Sequence, residues 1–204
     1  MSLNESEADS QPPQRRRGAA LENALLDAAW DELAEKGYTG FTIEAVAARA
    51  QTSRAVIYRR WPTKPDLVRA AVGRVGMRDR PAIPDTGSLR EDLVEVLRRA
   101  NRSRASIGIM MALQLSGYYA ETGTGLADLR EAFLSGRNTA VEAILARAVE
   151  RGEVDPARLT PRVVAVPFDL YRQELLMTLK PVPDEVTESI VDEVFLPLMR
   201  PAPS

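Results

Sequence analysis

The chain has no cysteine and no histidine among its 204 residues. Cysteine–histidine catalysis, zinc fingers, the usual zinc enzymes, the Ser-His-Asp triad and every disulfide are thereby excluded together. No stretch approaches the roughly 18–20 consecutive apolar residues of a membrane span. Residues 1–14 are acidic and polar, where an export signal would be basic and then apolar. The expectation is a soluble, cytoplasmic protein that needs no metal and no cofactor.

What is present is charge, unevenly spread. The net charge is only −2, which by itself argues against a nucleic-acid partner. Residues 15–80, however, carry 13 Lys/Arg against 8 Asp/Glu, whereas residues 81–204 carry 14 against 18. A basic N-terminal third beside an acidic remainder is the asymmetry expected when one part alone meets phosphate.

Hydrophobic spacing predicts helices throughout, and no run alternates with period two for long enough to suggest a sheet. Residues 1–14 have almost nothing to bury and read as a disordered tail. Leu21, Leu25, Ala28, Ala29 and Leu33 form one face of a first helix, and Gly37 stands where a C-terminal cap belongs. Thr42 can cap a short second helix through Ile43, Val46 and Ala47. After Gln51 and Thr52, Ser53 can cap a third helix over 54–60, which Pro62 terminates. Thr63 caps a fourth helix with Pro65 in its first turn. The chain is expected to divide into a basic unit over 15–80, including this connecting helix, and a second helical unit over 81–204.

Residues 41–64 read FTIEAVAARAQTSRAVIYRRWPTK. Two short helices across a four-residue turn have the dimensions of a helix-turn-helix, whose second helix enters the major groove. Arg54, Arg59 and Arg60 offer forks suited to guanine O6 and N7, and Ala55 and Val56 suit thymine methyls. The hydroxyls of Thr42, Ser53 and Tyr58 and the ammonium of Lys64 can meet phosphate oxygens. Tyr58 can equally pack the small core, and for Trp61 packing is the favoured role. Arg15, Arg16 and Arg17 can form an arm toward the backbone or minor groove, or a plain charge run.

The Gly37 break, Phe41-Thr42, Tyr58, Trp61-Pro62, Lys64 and Leu67, in this order and spacing over about residues 21–72, resemble the tetracycline-repressor (TetR) family. The resemblance implies an all-α fold: a three-helix DNA-binding domain followed by a helical ligand-binding and dimerisation domain. It also implies that Thr42, Tyr58 and Lys64 contact phosphates while Arg54, Ala55, Val56, Arg59 and Arg60 face bases. The sequence departs at Gln51-Thr52, where the family commonly has Gly followed by Val.

Beyond residue 88 the resemblance is looser, and residue patterns carry the reading. Residues 107–119 are apolar all round and suggest a buried helix; 126–152 carry one long stripe. The last two helices, over 160–179 and 184–199, present Val, Leu and Ile on more than one face, as a homodimer built on a four-helix bundle requires. Pro167 should kink the first of them or mark a break. Met110, Met111, Gln114, Tyr118, Phe168 and Tyr171 are candidates for a pocket that takes a small apolar or aromatic effector, although a Met and aromatic stripe is more often plain core. The function expected is a repressor released from operator DNA by that effector. The alternative is a small-molecule-binding helical protein without DNA function. An enzyme is not expected: Glu91 with Glu95, or Asp192 with Glu193, sits among other charges as a solvated face does.

Overall fold

The computed structural model describes residues 18–78, 82–134 and 138–199. The expected tail, the arginines at 15–17 and the division between residues 80 and 81 lie outside them. Among the described residues the fold is all-α, with no strand.

Helix α1 (Ala19–Gly40) buries Leu25, Ala28, Ala29 and Leu33 on one face. Gly37 interrupts it at φ 62°, ψ 178°, a backbone region open essentially to glycine alone, and so acts as the expected stop inside the span. Thr42 then caps α2 (Ile43–Arg49), its Oγ1 accepting from the Ala45 amide at 3.2 Å. The end of α2 closes as a Schellman turn: the Thr52 amide donates to the Ala47 carbonyl (2.9 Å) and the Gln51 amide to the Ala48 carbonyl (3.1 Å). Such a turn needs a left-handed residue, and Gln51 supplies it at φ 53°. The departure noted at Gln51 therefore falls on the position where glycine is cheapest.

Helix α3 (Arg54–Tyr58) is shorter than the expected 54–60, since Arg59 and Arg60 lie in the turn that follows. Ser53 holds the extended backbone of an N-cap, yet its hydroxyl takes no amide of α3. Helix α4 (Lys64–Arg78) begins with a reciprocal box. Asp66 Oδ2 accepts from the Thr63 amide (3.1 Å) and hydroxyl (2.6 Å), and the Asp66 amide donates to Thr63 Oγ1 (3.2 Å).

Helix α5 (Leu89–Gln114) starts from a loop tied down by Asp92, which is fully buried and accepts from the Thr86 amide (2.7 Å) and hydroxyl (2.9 Å). Short helices α6 (Ser116–Thr122) and α7 (Leu126–Leu134) follow, then α8 (Asn138–Glu150). The single stripe expected over 126–152 is thus two helices. Thr160 caps α9 (Pro161–Thr178), which continues through the buried Pro167. The last rod joins α10 (Asp184–Ser189), a π-helical stretch Ile190–Phe195 and α11 (Leu196–Met199). Pro197 has no N–H for the carbonyl four residues back and its ring crowds that carbonyl; the wider π turn just ahead of it makes room.

Two hydrophobic clusters fill the molecule. The first holds α1–α4 together but reaches past residue 80 to include Met111, Leu115, Tyr118, Leu129 and Phe133 from α5, α6 and α7. The second joins α5, α8, α9 and the last rod around Leu93, Leu97, Ile144, Val191 and Phe195. No helix among the described residues is long and apolar enough to cross a membrane.

Candidate nucleic-acid interface and effector cavity

Helix α3 is anchored chiefly by Ile57. Ile57 is fully buried while Arg54, Ala55, Tyr58 and Arg59 on the remaining faces are exposed, Tyr58 at 47%. Val56 is only partly buried and packs against the first cluster, as do Ala50 and Trp61. Trp61 therefore takes the core role favoured for it, and of the two apolar residues offered to thymine only Ala55 is openly presented. Arg60 is half-buried and reaches back to the Val56 carbonyl at 3.4 Å.

The cations of this end are not idle. Arg54 donates to Glu44 across the helix-turn-helix at 2.6 Å, with both side chains largely exposed. The pairing holds the Glu44 carboxyl below its ordinary range. Arg49 ties α2 to α1 through Glu35 (2.8 Å) and the buried Glu32 (3.2 Å).

Lys64 occupies a built niche. Its ammonium donates to the Tyr38 carbonyl at 2.7 Å and lies 4.1 Å from the centre of the Tyr38 ring. Burial lowers its pKa. Tyr38 in turn stacks edge-on against Tyr118 and donates its hydroxyl to Glu121 at 2.6 Å. Burial, then that bond to a carboxylate, pushes the phenol well above its ordinary range. A chain of direct contacts thus runs from α6 through Tyr38 to the residue at the head of α4.

A cavity of about 700 Å³ opens among α5, α7, α8 and α9, within the roughly 300–1,000 Å³ range of small-molecule sites. Met111, Phe168 and Tyr171 line it, and the Tyr171 phenol is pushed up to about 12 by burial. Met110, Gln114 and Tyr118 do not line it, which corrects half of the expected set. Met110 packs against the first cluster, and Tyr118 is buried between Tyr38 and Tyr119. With its amide nitrogen turned toward α1, Gln114 donates to the Leu33 (3.3 Å) and Ala34 (3.2 Å) carbonyls, just ahead of the Gly37 break. Sequence reasoning missed the charged residues of the lining, among them Arg104, Arg130, Asp169 and Arg172. These come from three separated helices and share no local motif.

The cavity communicates with α4 by direct packing. Phe133 lines it, and the Phe133 carbonyl stands only 2.2 Å from where a Cβ on Gly76 would be. Helix α7 therefore lies against the backbone of α4 and also lines the cavity. The carboxylates weighed as an acid–base pair are otherwise engaged: Asp192 takes two bonds from Arg90 (2.7 and 2.6 Å) and Glu95 one from Arg99 (2.7 Å).

An exposed arginine-bearing helix after a tight turn, set on a helical body with a cavity, defines a helix-turn-helix DNA-binding regulator. Residues 25–71 match the family model of bacterial regulatory proteins of the tetR family, and residues 83–194 match that of the tetracyclin repressor-like C-terminal domain. The chain is 34% identical to an HTH-type transcriptional regulator of Mycobacterium tuberculosis, named as uncharacterized, over 86% of each protein. It is 32% identical to a DNA-binding transcriptional repressor TetR of Mycobacteroides abscessus, over 91% of this chain and 97% of that one. A crystal structure of a putative TetR-family transcriptional regulator from Rhodococcus sp. shares the fold, with a TM-score of 0.61 at 19% identity over 88% of this chain and 98% of that one. The chain belongs to the TetR family of transcriptional regulators, and it is not an enzyme.

Proposed function

We propose that this regulator is a homodimeric repressor that leaves its operator when a small molecule enters the cavity between α5, α7, α8 and α9. The observation that carries the DNA half of this reading is the presentation of α3, held by the buried Ile57 with Arg54, Ala55, Tyr58 and Arg59 facing solvent. Thr42, Ser53, Tyr58 and Lys64 take the phosphates, and Arg54, Ala55, Arg59 and Arg60 take the base edges, with Val56 at their margin. The repressor named among the relatives supports the sign of regulation. Met177 on α9, Leu179 just after it, and Val194 and Leu198 on the last rod are exposed, which supports a dimer closed through α9 and the Asp184–Met199 rod.

Release follows from packing. A ligand that fits better when α7 is displaced draws the population toward a state in which α4 has moved, and with it the spacing of two α3 helices. That spacing must match half-sites about 34–36 Å apart.

Selection of bound sequences from a random DNA pool tests the reading, with two-fold symmetric half-sites about one turn apart expected. In that assay Lys64→Ala should weaken binding to all sequences by about tenfold and reduce the salt slope by about one unit. A change in base preference instead would overturn the sorting of contacts. Absence of salt-sensitive DNA binding would favour the small-molecule-binding protein without DNA function.

A further inference from the structure

The cavity has a charge imbalance as well as a volume. Six charged residues line it: Arg104, Arg130, Arg162 and Arg172 against Glu142 and Asp169. Arg162 and Glu142 are both exposed and offset one another in sign. Among the described lining residues that leaves Arg130 and Arg172 facing one carboxylate.

Asp169 is already shared. It accepts a short bond from Arg172 and lies 3.9 Å from Arg130, so a single carboxylate stands between two cations. Arg104 crosses the same space with its guanidinium carbon 5.6 Å from the centre of the Phe133 ring. The Arg172 side chain keeps only 25% of its exposure, and its pKa is lowered by burial and then by the repulsion of Arg130. The rest of the lining is apolar, including Val96, Met111, Leu126, Val141, Phe168 and Leu175.

These features select a ligand by sign. A neutral apolar molecule would strip water from a cluster with excess positive charge and return nothing for it. A cation would add to the repulsion already present. A carboxylate can take two parallel bonds from a guanidinium, cancels the excess and leaves its hydrocarbon part to the apolar wall.

We infer that the effector is an amphipathic organic anion, its carboxylate bound by Arg130 and Arg172 and its apolar body lying along Met111, Phe133, Phe168 and Leu175. This inference rests on the effector reading above and revises the purely apolar or aromatic molecule expected from sequence.

The test is calorimetric titration of the purified full-length protein with matched probes. Octanoate is compared with 1-octanol and octyltrimethylammonium, and 2-naphthoate with 2-naphthalenemethanol. For at least one skeleton the carboxylate should bind about tenfold or more tightly than its alcohol, a difference of about 1.4 kcal/mol. Arg130→Gln and Arg172→Gln should each erase most of that preference. Asp169→Asn, which keeps the guanidinium groups of Arg130 and Arg172 and removes their competitor, should raise carboxylate affinity; a site that Asp169 merely props open would lose affinity instead. Alcohols binding as well as carboxylates would overturn the anion inference and leave the effector cavity standing. Silence from every probe would overturn both.

Discussion

The DNA-facing end and the cavity treat arginine in opposite ways. At the first, Arg49 and Arg54 are paired with Glu35 and Glu44 at the surface, and the helix that carries Arg54 rests on a filled core through Ile57. At the second, Arg130 and Arg172 line a cavity and share the single carboxylate of Asp169. Exposed ion pairs contribute little, about 0–1 kcal/mol in general, and are readily exchanged, so phosphate or a base edge can replace Glu44 at small cost. A partly buried excess of charge cannot be screened that way and is relieved by an anion that enters. One end is a surface whose pairs open on contact; the other is a cavity whose charge the proposed anion would balance.

The contrast can be broken most severely at its packed side. Ile57→Ala removes the one fully buried contact of α3 and should cost about 2–5 kcal/mol in denaturant unfolding, with loss of DNA binding. The structural link between the two ends comes next. Gly76→Ala places a methyl against the Phe133 carbonyl and should cost about 1–3 kcal/mol; DNA affinity should also change, because α4 and α7 must part. Gln51→Gly relieves a left-handed side-chain residue and should raise stability by about 1 kcal/mol in the same unfolding assay. Unchanged or reduced stability would mean that the Gln51 side chain supports the turn.

Two smaller effects sharpen the comparison. Glu44→Gln frees Arg54 and should steepen the salt dependence of DNA binding by about one unit, read by fluorescence anisotropy across a salt series. Acid should act on the body more than on the DNA contacts of α3. Asp192 and Glu95 are held below the ordinary carboxylate range chiefly by bonds from Arg90 and Arg99. Their contribution is complete above the unfolded carboxylate pKa values and is lost as pH falls through the depressed folded ones. Thermal stability should therefore decline below about pH 4, and Asp192→Asn should flatten that decline.

The fold and the site were unequally legible in the sequence. Gly37, Thr42 and Thr63 act locally, within a turn of helix, so their effects could be read from spacing alone. The same holds for α3, whose exposed faces follow once Ile57 is assigned inward. The cavity obeys no such rule. Arg104, Arg130 and Arg172 lie on α5, α7 and α9, and only tertiary packing brings them to one space. Gln114 and Tyr118 misled for the same reason: their polar tips looked available in one dimension, but α1 and Tyr38 occupy them in three. The π turn before Pro197 was also invisible, because spacing in four-residue steps does not register one widened turn.

The reach of the first hydrophobic cluster bears on how such regulators can be recombined. Met111, Leu115, Tyr118, Leu129 and Phe133 complete the packing beneath the DNA-reading helices. A chimera that grafts residues 18–78 onto a foreign body inherits a hollow where those side chains belong, whereas a graft spanning 18–134 brings its own filling. The portable cassette in this molecule is larger than its helix-turn-helix.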